Sequence, residues 1–273
     1  MSAFVVEVIR LTAWLALLAA IFVPLERLFA VERQRIFRKQ LAVDLGYFFL
    51  NGLLPSTIAA VPLAIIAVTA HRFVPWTLLQ ATASLPFWPK LGISLLLAET
   101  GFYWGHRLSH EIPFLWRFHA VHHSAEELDF LSNSRAHPLD IVFTRLCGFV
   151  PLYILGLSQG SAAPALIVVI GTIWGFFIHA NVRWRFGWLE WLIATPGFHR
   201  WHHTNDAFRD RNYAPLLPVL DVVFGTLHLP KTWPTSYGID GPMAPSLTGQ
   251  LLQPLVPPAR VAEPASGEVA APR

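Results

Sequence analysis

The chain has 273 residues, of which 54% are hydrophobic and only 14% charged, with a net charge of +3. An average soluble domain is about 25% charged, so this composition excludes an ordinary soluble domain, and the small, locally concentrated basic excess excludes a nucleic-acid-binding surface. The single cysteine, Cys147, excludes an internal disulfide and any multi-cysteine metal site.

A membrane-spanning helix needs about 20 mostly apolar residues. The first candidate covers residues 4–25. It lacks a basic n-region and a small-residue cleavage site, so it is expected to be a retained anchor and not a secretory signal. A polar stretch with Arg27, Arg33, Arg35, Arg38 and Lys39 follows. The second candidate, residues 42–70, carries Asn51, Pro55 and Pro62, which predicts a kink or a break. A linker with Pro75, Pro86 and Pro89 leads to a third apolar segment at 91–104. The fourth and fifth, 141–157 and 163–180, flank the turn Ser158-Gln159-Gly160-Ser161 and are expected to pair as a hairpin. From Gly238 on, the chain is rich in Pro, Ala and Ser without apolar periodicity. It is expected to be disordered, although Leu251, Leu252, Leu255 and Val256 could touch the membrane surface. The expected fold is all-α: a polytopic helical membrane protein made of a transmembrane region (1–90), a histidine-bearing domain (91–236) and a tail (237–273).

The basic residues set the expected orientation. Five Lys or Arg lie in the first loop, two in the loop 71–90, and none in the Ser158 turn. Positive-inside reasoning then puts the first loop, residues 105–140 and everything after Ala180 on the cytoplasmic side. Eleven of the 12 histidines fall in or beside those regions, and only His71 lies opposite.

Eight of these histidines are spaced in three groups: His106/His110, His119/His122/His123 and His199/His202/His203. Residues three and four apart share a helix face, so an i, i+4 pair can close on one metal. The remaining histidine of each triplet, about 100° around the helix from its neighbour, can reach a second. A lone histidine here would read as a packed aromatic. Eight in spaced groups beside a membrane would be too costly to bury unless something satisfied them. The His-Glu-x-x-His pattern of a zinc protease is not met by His110-Glu111-Ile112-Pro113-Phe114. The alternative left open is a non-catalytic membrane metal-binding or transport protein.

With these motifs the chain resembles the membrane fatty acid hydroxylase superfamily of sterol desaturases and sphingolipid hydroxylases. The pattern His-x3-His, His-x2-His-His and a distant His-x2-His-His is matched by the three groups. Tyr103-Trp104-Gly105-His106-Arg107, Ala136-His137-Pro138-Leu139, Ile178-His179-Ala180-Asn181, Arg211-Asn212-Tyr213 and Leu220-Asp221-Val222-Val223-Phe224-Gly225-Thr226 also match. The likeness covers about residues 95–226. Ala214 stands where the family usually has Gly, and His228 and His71 are expected to be structural. The resemblance implies two iron ions, with His137 and His179 joining the eight histidines as ligands. It further implies O2 as co-substrate, a lipid drawn from the bilayer, and a separate electron donor of ferredoxin or cytochrome type.

No acidic, basic or nucleophilic side chain can take hydrogen from an alkyl chain, so a redox metal must supply the oxidant. Imidazoles also bind zinc and copper, and zinc is expected as a substitute in purified protein. The other ring nitrogen of each ligand should donate to a fixed acceptor. The leading candidates are Asp140, Asn181, Asp206 and Asp221, with Glu99, Asp129 and Asp210 also in range of the motifs. Phe130, Trp174, Phe176 and Phe177 could line the substrate route, although ordinary packing is the favoured reading of each one singly. Arg135, Arg183 and Arg200 could meet a lipid phosphate or carboxylate, although positive-inside charge explains them equally well. Hydroxylation and desaturation, and the choice among sterol, acyl chain, ceramide, ornithine lipid and carotenoid, stay open at this level.

Overall fold

The computed structural model describes residues 1–256, and the expectation for 257–273 lies outside the described residues. Among the described residues the chain is all helical, apart from one isolated bridge between Thr204 and Tyr237. Helix α1 (Ala3–Leu28) starts where the Ser2 side chain accepts from Val5 N–H. Only Leu11, Leu18 and Phe22 are buried on it, a single stripe. Phe4, Ile9, Leu17 and Ile21 stand exposed. A helix so largely apolar and so little buried has the character of a membrane span.

The second apolar run forms two helices, α2 (Leu41–Leu53) and α3 (Pro55–Ala70). The break falls at Leu54, because Pro55 has no N–H to carry the ladder across, whereas Pro62 is accommodated inside α3. Among the described residues two segments are long and apolar enough to cross a membrane, Ala3–Leu28 and Leu41–Ile66, the second spanning α2 and most of α3. The linker contains a short helix, α4 (Trp76–Ala83).

Helix α5 (Phe87–Glu111) extends well beyond the apolar run 91–104, so it carries His106 and His110 on the same rod as the apolar segment. An Arg107–Glu111 pair, i to i+4, supports its last turn. Ile112 is extended ahead of Pro113, which ends α5 and opens α6 (Pro113–His123) at its first turn. Helices α7 (Pro138–Ile154) and α8 (Ala163–His179) follow on either side of the Ser158 turn. Then come α9 (Pro196–His202), α10 (Val219–Val223) and α11 (Leu247–Leu252).

Two apolar clusters hold the bundle. One joins α1, α2 and α8 through Leu18, Phe22, Phe48, Phe130 and Phe176. The other joins α3, α5, α7 and α8 through Leu63, Ala98, Phe149, Leu152 and Ile167. The expected disorder from Gly238 is corrected up to Val256. Ser246 caps α11 by accepting from Gly249 N–H, and Leu247 and Leu251 pack on Val43, Tyr47 and Val121. Leu252, Leu255 and Val256 remain exposed. Composition hid this helix because it is six residues long and is stabilised by its neighbours, not by its own periodicity.

Candidate metal centre

Nine imidazoles from four helices meet in the interior. His106, His110, His119, His123 and His202 form one group, and His122, His179, His199 and His203 a second. Within each group the potential ligand atoms all lie within 4.8 Å of one another. The triplets divide as helix geometry requires. His119 and His123, one turn apart on α6, enter the first group while His122 turns to the second. On α9 and its C-cap, His199 and His203 enter the second group while His202 turns to the first. The two groups abut, with His123 stacked on His203 at a ring separation of 4.4 Å.

The rings are oriented by their Nδ1 atoms. Those of His106, His122, His179 and His202 lie 2.7–2.8 Å from the carbonyl oxygens of Tyr213, Arg135, Gly175 and Arg211. A carbonyl only accepts, so each Nδ1 carries the proton and each Nε2 keeps its lone pair. His110 and His119 meet the carboxylates of Asp210 and Asp140, each at 2.9 Å. The free nitrogens then converge. Nε2 of His179 lies 3.2 Å from Nε2 of His122 and 3.1 Å from that of His199, and His203 Nε2 lies 3.1 Å from His199 Nε2. Nε2 of His106, His110 and His202 is buried without a protein partner.

The contact between His122 and His179 brings two lone pairs together, which is unfavourable unless a cation lies between them. Imidazole nitrogens bind a transition metal at about 2.0–2.1 Å, and that sets neighbouring ligands about 3 Å apart. The spacing and donor chemistry fit two metal ions. Burial, and next the neighbouring His119, lower the pKa of His122 to about 4. Burial first, then nearby imidazoles, hold His123, His199, His202 and His203 well below the usual histidine range. All five are neutral, the state a metal requires.

His137 is placed differently from the ligand role implied by the resemblance. It caps α7, its Nδ1 accepting from Leu139 N–H at 3.2 Å, while Nε2 faces the Leu251 carbonyl at 3.2 Å. Neither nitrogen is free to join the groups. His71 lies against the Tyr153 carbonyl and His228 stacks on Phe208, both apart from the cage.

Of the expected acceptors, only Asp140 and Asp210 touch a cage ring. Asp221 accepts from the N–H groups of Tyr213 and Ala214, and so holds the loop whose carbonyl meets His106. Asn181 joins Val31, Glu32 and Arg200, and Asp206 accepts from Phe208 N–H. The four carbonyl acceptors escaped the sequence reading because every residue has a carbonyl and none advertises its direction.

Arg135 and Arg200 are also reassigned. Both are buried, Arg135 on Asp44 and Gln40, and Arg200 on Tyr237, Leu128 and Asn181, so neither is available to a lipid head. Because the Arg135 carbonyl holds His122, its ion pair with Asp44 ties α2 to the second group. Phe130 stacks on Phe22 and lines a groove between α1 and α2, with Phe176 packed behind it. Trp174 and Phe177 belong to the cluster around Phe198.

Residues 91–226 match the fatty acid hydroxylase family model. The chain is 38% identical over 180 residues to ornithine lipid hydroxylase OlsE of Rhizobium tropici, covering 62% of this chain and 53% of that protein. It is 30% identical over 170 residues to alkylglycerol monooxygenase of Homo sapiens, covering 62% and 34%. Very-long-chain aldehyde decarbonylase GL1-5 of Oryza sativa is 30% identical over 159 residues, covering 52% and 25%. The chain thus spans about half of the first of these relatives and less of the other two. No solved structure matches it.

Proposed function

The chain belongs to the fatty acid hydroxylase family through residues 91–226, and from that premise we propose that it is an integral membrane lipid hydroxylase built on a two-iron centre. The observation that carries this reading is the convergence of nine buried imidazoles, with their lone pairs inward, in two abutting groups. Iron is the proposed metal because a redox-inert ion could not supply an oxidant for a C–H bond. One oxygen atom of O2 enters the C–H bond and the other leaves as water, with two electrons delivered by a separate donor protein and two protons drawn from solvent. Hydroxylation is preferred to desaturation because the first two relatives are named as a hydroxylase and a monooxygenase.

The chain's own part is to place ligands, exclude water and bind the lipid. Carbonyl and carboxylate acceptors fix six ring tautomers, and burial keeps the cage dry. The proposed lipid approach is the groove of about 250 Å³ between α1 and α2. Leu15, Ala19, Val23 and Leu45 form its apolar walls, and Arg33 and Arg35 stand at its charged lip. The groove includes Asn181, two residues after the cage histidine His179. Several crossings, with the cage on the cytoplasmic side, complete the proposal and follow from the basic first loop.

The test uses iron-loaded, detergent-solubilised protein with a reductase and ferredoxin, incubated with a membrane lipid extract. Oxygen consumption should accompany products heavier by one oxygen atom, and His122→Ala and His202→Ala should abolish both. Retained activity in either variant would sink the assignment.

A further inference from the structure

The four consecutive residues Asp210 to Tyr213 touch three cage rings, all of them in the first group. The Asp210 carboxylate meets His110, the Arg211 carbonyl meets His202, and the Tyr213 carbonyl meets His106. With Asp140 on His119, four of the five first-group rings have a fixed Nδ1 acceptor, and two of those acceptors are carboxylates. In the second group only His122 and His179 are so held, both by carbonyls. Nδ1 of His199 and of His203 is buried without a partner.

The segment is itself locked from behind. Asn212 adopts a left-handed backbone (φ 57°), which turns the carbonyls on either side of it toward the cage. Its side chain donates to the carbonyls of Phe198 and His228 and accepts from His228 N–H. The buried Asp221 and Glu99 carboxylates hold the next stretch at Tyr213, Ala214 and Leu216.

On this geometry, and resting on the two-metal reading above, we propose that residues 210–213 act as a clamp that makes the two metal positions inequivalent. The clamp fixes tautomer and ring angle at the five-histidine position and leaves the four-histidine position untouched. Carboxylate acceptors also raise the basicity of the rings they hold, so the first position is the tighter one. Asn212 and Asp210 are positioning residues, since neither contributes a ligand atom to a group.

Zinc is a suitable probe because it binds imidazole without redox chemistry. The full chain, stripped and reloaded with zinc, is titrated with a competing chelator. Occupancy at each position is read by anomalous scattering. The wild type should hold two ions and surrender the one at His122, His179, His199 and His203 first. Asn212→Gly keeps the backbone angle accessible but removes the side-chain lock. Asp210→Ala removes one acceptor from an exposed side chain, so it should fold even if the first variant does not. Each should weaken the first position about 10–100-fold, reversing the order of loss, with the second position unchanged. Equal weakening at both positions, or no change at either, would overturn the clamp. A wild type that cannot hold two ions would overturn the two-metal reading instead.

Discussion

His137 takes the place of a capping side chain at the start of α7, where its Nδ1 accepts from Leu139 N–H and Pro138 occupies the first helical turn. Loss of a capping acceptor costs about 1 kcal/mol, whereas loss of a cage ligand removes a metal contact altogether. His137→Ala should therefore lower the thermal midpoint and leave the metal-to-protein ratio at the wild-type value. His137→Asn, which restores an acceptor, should recover the stability. His179→Ala should lower the metal ratio. Elemental analysis beside a thermal melt separates these outcomes, and a fall in metal content for His137→Ala would return that residue to the ligand set. The eight spaced histidines were legible because i, i+3 and i+4 spacing is itself a statement about helix faces. His137 and His179 have no such spacing. Only tertiary placement distinguishes His179, directed from the end of α8 into the second group, from His137, turned toward Leu139 and Leu251.

At the scale of elements, the decisive contact is the crossing of α5 and α7. A Cβ on Gly101 would lie 2.1 Å from the Cys147 carbonyl oxygen, and one on Gly148 would lie 2.2 Å from the Phe102 ring. The first obstacle is backbone, so no rotamer change can relieve it. Helix α5 carries His106 little more than a turn beyond Gly101 and His110 about one turn further, and α7 carries Asp140, the acceptor for His119. Gly101→Ala should therefore cost roughly 1–3 kcal/mol through overpacking and reduce metal retention. Gly92→Ala on the same helix meets nothing within 4 Å and should be neutral or stabilising. Thermal melts with metal analysis test the pair, and equal behaviour of the two variants would contradict the close approach. The apolar runs announced most of these helices. The prolines of the second run announced its break, though not that Pro55 would make it and Pro62 would not. The continuation of α5 past its apolar part stayed hidden, because it depends on side-chain pairing and on the next proline at Pro113.

For the whole molecule, the exposed apolar face of α1 and the buried cage of neutral imidazoles put opposite demands on solvent. The cage makes the metal-free fold sensitive to acid. Burial lowers the folded pKa of His122 from 6.5 to about 4, and also lowers those of His123, His199, His202 and His203. Between the unfolded and folded values the unfolded chain binds more protons, so stability is present above about pH 6.5 and falls as pH drops. Each histidine kept neutral contributes about 1.4 kcal/mol per pH unit to that fall. Carboxylates that burial pushes upward, Asp221 among them, act in the opposite direction but are fewer than the lowered histidines. Chelator-stripped protein in detergent should therefore melt at a markedly lower temperature at about pH 5.5 than at about pH 7.5. The metal-loaded form should resist until protons displace the ions from their ligands, at which point its melt joins that of the stripped protein. A melting temperature that stays flat or rises on acidification of the stripped protein would mean that these imidazoles are open to water, and the dry cage would have to be abandoned.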